Sequence, residues 1–150
     1  MAEETIAIAS GEKRDLDLGG LCFRICKRAI GDDGGPSVEV LSEASAEEPI
    51  LRFDLFRGDP HCHVPASDQK PRPLAKLRGA DPTESWLGDL AELLPPLIRE
   101  AGDEALADRT DVQTLSDQID RLRSAIRDAP EPGEPTLHPL TPEMRKVLGG

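Results

Sequence analysis

The period of the apolar residues changes once along this chain, and that change limits what it can fold into. Up to Phe56 apolar and polar residues alternate, whereas from Trp86 onward the apolar residues return every three or four positions. Alternation places successive side chains on opposite faces of a strand, and the longer spacing lines up one stripe of a helix. Strand signals gathered in one half and helical signals in the other predict an α+β fold. The expectation is an antiparallel sheet of four to five strands over roughly residues 4–64, packed by C-terminal helices.

Within the strand half, Thr5 to Ala9 reads as an edge strand. Leu16-Asp17-Leu18 alternates, Gly19-Gly20 interrupts, and Leu21 to Cys26 resumes, so the paired glycines predict a bend or bulge between two segments. Leu21, Phe23 and Ile25 share one face of that run, and Cys22, Arg24 and Cys26 the other. Gly31 to Pro36 is a turn, and Val38 to Leu41 begins the return strand of a hairpin. In Ile50 to Phe56, Leu51, Phe53 and Leu55 point one way while Arg52, Asp54 and Phe56 point the other.

The helical half opens on Asp81-Pro82-Thr83-Glu84, which combines a capping Asp, a Pro at the first helical position and a Glu three residues after the cap. Trp86, Leu87, Leu90, Leu93, Leu94, Leu97, Ile98 and Ala101 follow at helical spacing. Pro95 predicts a break or kink, and Gly102 a stop. A second helix is expected over residues 111–127. Its apolar positions Val112, Leu115, Ile119, Leu122 and Ile126 are spaced 3, 4, 3, 4, a seam narrow enough either to pack on the 82–101 helix of the same chain or to pair with a second copy or a partner's helix. Residues 1–128 therefore read as one α+β domain. Residues 129–150 read as a Pro/Glu linker and a short amphipathic tail, in which Met144 and Leu148 share a face with Leu140 and Val147.

Composition narrows the function classes. The net charge of -11 argues against a nucleic-acid surface, which needs clustered Lys and Arg. Residues 1–80 carry 11 basic and 14 acidic groups and residues 81–150 carry 7 and 15, so the helical half is the acidic one. No run approaches the roughly 18–20 apolar residues of a membrane span. Three cysteines without a CxxC pair, and no visible signal peptide, point to a cytoplasmic protein with reduced thiols. Cys22 and Cys26 lie about 13 Å apart by strand rise, too far for a disulfide.

His61 and His63 form the one histidine pair with ligand spacing. In an extended segment they point to the same side, so both imidazoles can meet one ion, with Asp59 or Asp54 adding a carboxylate. Cys62, between them, faces away, which argues against a Cys–His nucleophile.

Asp59-Pro60-His61-Cys62-His63 resembles the D-x-H-x-H motif that opens the metal site of the amidohydrolase and the polymerase-and-histidinol-phosphatase families. That resemblance implies a large barrel with further histidine ligands, and here the one other histidine is His138, so the binuclear site does not carry over. A cupin reading lacks its glutamate, because Val64 to Gln69 contain none. The wider pattern, a strand ending in Asp-Pro-His-x-His ahead of a capped helix, resembles uncharacterised small bacterial proteins and implies no known activity.

Two functions follow as expectations. The first is a non-enzymatic interaction or accessory module without a cofactor. It would self-associate or bind a protein partner through Val112, Leu115, Ile119, Leu122 and Ile126, and through Met144 and Leu148. The alternative is a small mononuclear metal-binding protein or metal-dependent enzyme. It would hold one divalent ion such as zinc at His61, His63 and Asp59.

Overall fold

A computed structural model describes residues 4–74 and 81–140. The fold is α+β, as the change of period predicts, but the sheet has eight strands rather than four to five. They are β1 (Thr5–Ser10), β2 (Arg14–Leu18), β3 (Leu21–Ile30), β4 (Asp33–Leu41), β5 (Leu51–Asp54), β6 (His61–His63), β7 (Arg72–Pro73) and β8 (Thr136–Pro139). Their order is β7-β6-β5-β4-β3-β1-β8, with β2 also on β3, and every pairing is antiparallel. The extra strands are two to four residues long, too short for an alternation to declare itself.

Ten-residue β3 explains the doubling of its neighbours. β2 pairs with its first half, through Leu18↔Leu21 and Arg14↔Ile25, and β1 with its second, through Ile8↔Ile30. Gly19-Gly20 is therefore not a bulge but the two-residue turn of the β2–β3 hairpin. Both glycines have positive φ, 63° and 83°, which matches the right-handed twist of the strands they join. The Gly31 to Pro36 turn is likewise tighter than expected: β3 runs to Ile30, β4 resumes at Asp33, and Gly31 at φ 58° takes the corner.

Four helices follow: α1 (Pro82–Glu100), α2 (Glu104–Arg109), α3 (Val112–Asp117) and α4 (Ile119–Asp128). Asp81 caps α1 by accepting from the Thr83 and Glu84 amides. Glu84 does not complete a capping box; it pairs with Arg123 on α4. Contrary to expectation, α1 continues through Pro95 and Pro96. The carbonyls that would have bonded the missing N–H groups belong to Ala91, which is half-buried, and Glu92, which is exposed. The helix expected over 111–127 is two helices, parted at Gln118 by φ -115°, ψ 22°. Thr114, Ser116 and Asp117, which favour bonds to nearby backbone over helix continuation, precede the break.

Phe23, Ile25, Val38, Val40, Leu51, Phe53 and Cys62 form the helix-facing side of the sheet and meet Trp86, Leu90, Leu94 and Ile98 of α1 in one core. Phe53 and Trp86 pack with ring centroids 5.2 Å apart. The narrow seam joins the same core: Leu115, Leu122 and Ile126 are buried in it and Ile119 is packed against it, while Val112 is 42% exposed. The seam thus covers the chain's own sheet. Met144 and Leu148 lie outside the described residues. Part of the segment expected as linker and tail is β8, which pairs with β1 through Thr5↔Pro139 and Ile8↔Thr136. An edge strand tolerates a proline such as Pro139.

A Cβ added to Gly19 would lie 2.8 Å from Leu115 Cγ, in a left-handed conformation, whereas one added to Gly88 in α1 meets nothing within 4 Å. Gly19→Ala is therefore expected to destabilise by about 2–4 kcal/mol, from the unfavourable φ and the crowded core. Gly88→Ala is expected to stabilise by about 0.5–1 kcal/mol through helix propensity. Urea midpoints at unchanged m-value check both signs.

Candidate metal centre

The sheet face opposite the helices carries the polar members of the alternation. Register sets two neighbouring rows across β4, β5 and β6: Ser37↔Asp54↔His61, and Glu39↔Arg52↔His63. Phe56 follows Asp54 on the same side and meets His61 edge-on at 5.7 Å between centroids. Asp54, His61 and His63 are all buried. They form a group whose ligand atoms lie within 4.8 Å of one another, the one such group among the described residues.

Each imidazole is oriented by a main-chain carbonyl from a flanking loop. His61 Nδ1 lies 2.8 Å from the Asp59 carbonyl oxygen, and His63 Nδ1 lies 2.7 Å from that of Asp68. A carbonyl only accepts, so both Nδ1 atoms carry the proton and donate it. Both Nε2 atoms then turn inward to the same oxygen, Asp54 Oδ2, at 3.0 Å from His61 and 3.6 Å from His63. The second distance is beyond a hydrogen bond. His63 Nε2 is buried and has no hydrogen-bond partner among the described residues.

Asp54 is heavily engaged. The Ser37 hydroxyl donates to its Oδ1 at 2.7 Å, and Arg52 approaches Oδ2 through Nε at 3.2 Å and Nη2 at 3.1 Å. Burial alone would raise its pKa. The contacts from the two imidazoles, the Arg52 charge and the Ser37 bond outweigh burial and hold the carboxyl well below the usual carboxylate range. Burial alone would likewise lower the pKa of His61. The bond to Asp54, the Asp59 carbonyl and the nearby carboxylates outweigh it and raise the ring above its ordinary value.

The spacing argument places His61 and His63 correctly on one face, and Cys62 lies on the other, buried in the core with its thiol pushed up by burial. The carboxylate that meets both Nε2 atoms is Asp54. Asp59 instead gives His61 its main-chain oxygen, and its carboxylate lies 3.8 Å from Nδ1, on the outer side of the ring. Ser37 and Arg52 were not singled out as site residues. The only signal for Arg52 was that it shares the polar face of its strand with Asp54; Ser37 comes from another strand, so only register reveals it. Cys22 and Cys26 are buried on the polar face, and burial together with Asp15 and Asp17 pushes Cys22 up to about 11. His138 lies on β8, at the opposite end of the sheet.

Comparison with known proteins gives one family. Residues 15–126, well over half of the chain, match the model of a domain of unknown function, DUF7700. No curated protein and no solved structure matches the chain.

The His61–Asp54 pair carries a pH signature in the metal-free protein. With the folded pKa of His61 raised, its contribution is fully present below about pH 6.5 and is lost as pH rises through the raised value. With that of Asp54 depressed, its contribution is fully present above about pH 3.9 and is lost as pH falls through the depressed value. Chelator-treated protein is expected to lose urea stability as pH rises above about 6.5, and His61→Gln to flatten that decline.

Proposed function

We propose that this chain, which belongs to the DUF7700 family of unknown function, is a mononuclear metal-binding protein that holds one divalent ion at Asp54, His61 and His63. The observation that carries the reading is the orientation of the two rings. Each gives its Nδ1 proton to a main-chain carbonyl, which leaves two inward Nε2 atoms around one carboxylate oxygen, one of them buried without a partner. A hydrogen-bond acceptor on the outer ring nitrogen is how proteins aim the inner one at a metal. His61 can meet the carboxylate by carrying a second proton, but His63 Nε2 in a neutral ring is a lone pair facing that carboxylate, an arrangement that repels unless a cation lies between.

The spacing suits such an ion. Ligands about 2.0–2.2 Å from a tetrahedral zinc lie about 3.3–3.5 Å from one another. The separations of 3.0 and 3.6 Å bracket that value. Two imidazoles and a carboxylate favour zinc, with ferrous iron or manganese next. Three protein ligands, rather than four, is the number that leaves a position for water or substrate.

Protein purified without an affinity tag is expected to carry about one equivalent of zinc, iron or manganese by elemental mass spectrometry. Asp54→Ala and His63→Ala should lose it, with circular dichroism verifying that each is folded. Asp59→Ala should keep it, because that residue acts through its main-chain oxygen. A wild-type protein without metal after expression in supplemented medium overturns the reading.

A further inference from the structure

Around the three ligands, charge and exposure are distributed unevenly. The side chains of Asp54, His61 and His63 are 1%, 4% and 6% exposed, whereas Arg52, whose guanidinium touches the same Asp54 oxygen, is 33% exposed. Of the residues in contact with Asp54, Arg52 is thus the one that reaches solvent. Arg52 thus links the buried group to the protein surface.

The charges around the site do not balance once an ion is bound. Asp54 is the one carboxylate among the ligands, and Arg52 already shares it. Glu39, opposite Arg52 in the register, is paired with Lys13 at 3.0 Å. Asp59 lies behind the His61 ring with its carboxylate 39% exposed. The other contact to Asp54, Ser37, is neutral. A divalent cation therefore adds two positive charges beside a guanidinium, against one carboxylate, in a water-poor setting. Uncompensated charge in such a setting is strongly disfavoured, so the remaining position selects for an anion.

On the reading that Asp54, His61 and His63 hold an ion, we propose that its open position takes an oxyanion, a carboxylate or phosphate group of a small molecule, gripped jointly by the ion and Arg52. Arginine suits this role because its planar fork keeps N–H donors available while two of its nitrogens face Asp54. Asp54 thereby has two tasks: it ligates the ion and sets the plane of the guanidinium that meets the incoming anion.

The test uses full-length protein loaded with cobalt(II), whose visible bands report a change of ligand. Inorganic phosphate and acetate are titrated separately in a non-coordinating buffer. A saturable spectral change with either supports the proposal, and the stronger of the two names the class of oxyanion. Arg52→Gln should weaken that response at least tenfold while one equivalent of cobalt stays bound. Arg52→Lys, which keeps the charge beside Asp54 but not the fork, should fall between wild type and Arg52→Gln. It also serves as the reporter if Arg52→Gln loses the ion or the fold. An unchanged spectrum with both anions, or wild-type affinity in the reporting variant, overturns the oxyanion proposal and leaves the metal site standing. Failure of wild type to bind cobalt overturns the metal site itself.

Discussion

Everything on the polar side of this sheet depends on the register of β5 against β4 and β6. The pairings Ser37↔Asp54 and Asp54↔His61 put a hydroxyl, a carboxylate and an imidazole in one row. The same pairings put Val38, Phe53 and Cys62 in the row beneath the helices. A slip of one residue would exchange the two rows, placing Asp54 in the aliphatic core and Phe53 against the histidines. Packing of Phe53 on Trp86 and burial of Leu51 therefore do more than stabilise. They hold the carboxylate where the two imidazoles converge.

That dependence runs the other way as well. β6 is three residues long and β7 two, too little ladder to hold the sheet's end by itself. What anchors this end is side-chain chemistry. His61 reaches the Asp59 carbonyl, His63 reaches that of Asp68, and Arg72 on β7 makes a two-pronged pair with Glu100 at the end of α1. The loops on both sides of β6 are thus tied to the ring nitrogens that point away from Asp54, so ring orientation and loop path are set together.

How much of this could be read from the residues follows from the range of the forces involved. The α+β class, the α1 cap at Asp81 and the shared face of His61 and His63 were legible, because each rests on a local repeat or a local bond. The Gly19-Gly20 pair predicts a bend or bulge and is a hairpin turn, since these differ only in where the following strand pairs. The helix break at Gln118 and the four-residue β8 were missed for a similar reason: neither leaves a period long enough to detect. Asp103, which caps α2 by accepting from the Leu106 amide, was a readable signal that was overlooked. In the site, Asp59 is the nearer carboxylate in sequence, two residues from His61 against seven for Asp54, yet strand pairing brings Asp54 to the imidazoles. The seam of residues 112–126 shows the same limit: its spacing suits a partner helix, yet its central leucines are buried in the chain's own core.

Without an ion, the three ligands would leave one interaction unmade. A protonated His61 can satisfy Asp54, and Arg52 and Ser37 fill the remaining acceptor positions of that carboxylate. His63 then gains nothing: its Nε2 is 3.6 Å from an oxygen already surrounded by donors, and it is buried. Leaving a buried polar atom unpaired costs about 1–3 kcal/mol, a sizeable part of the roughly 5–15 kcal/mol that holds a domain together. An apolar residue at position 63 would avoid that cost and still cover Asp54. The outer nitrogen of His63 is anchored to the Asp68 carbonyl while its inner nitrogen has no partner among the described residues, a cost that packing alone does not offset.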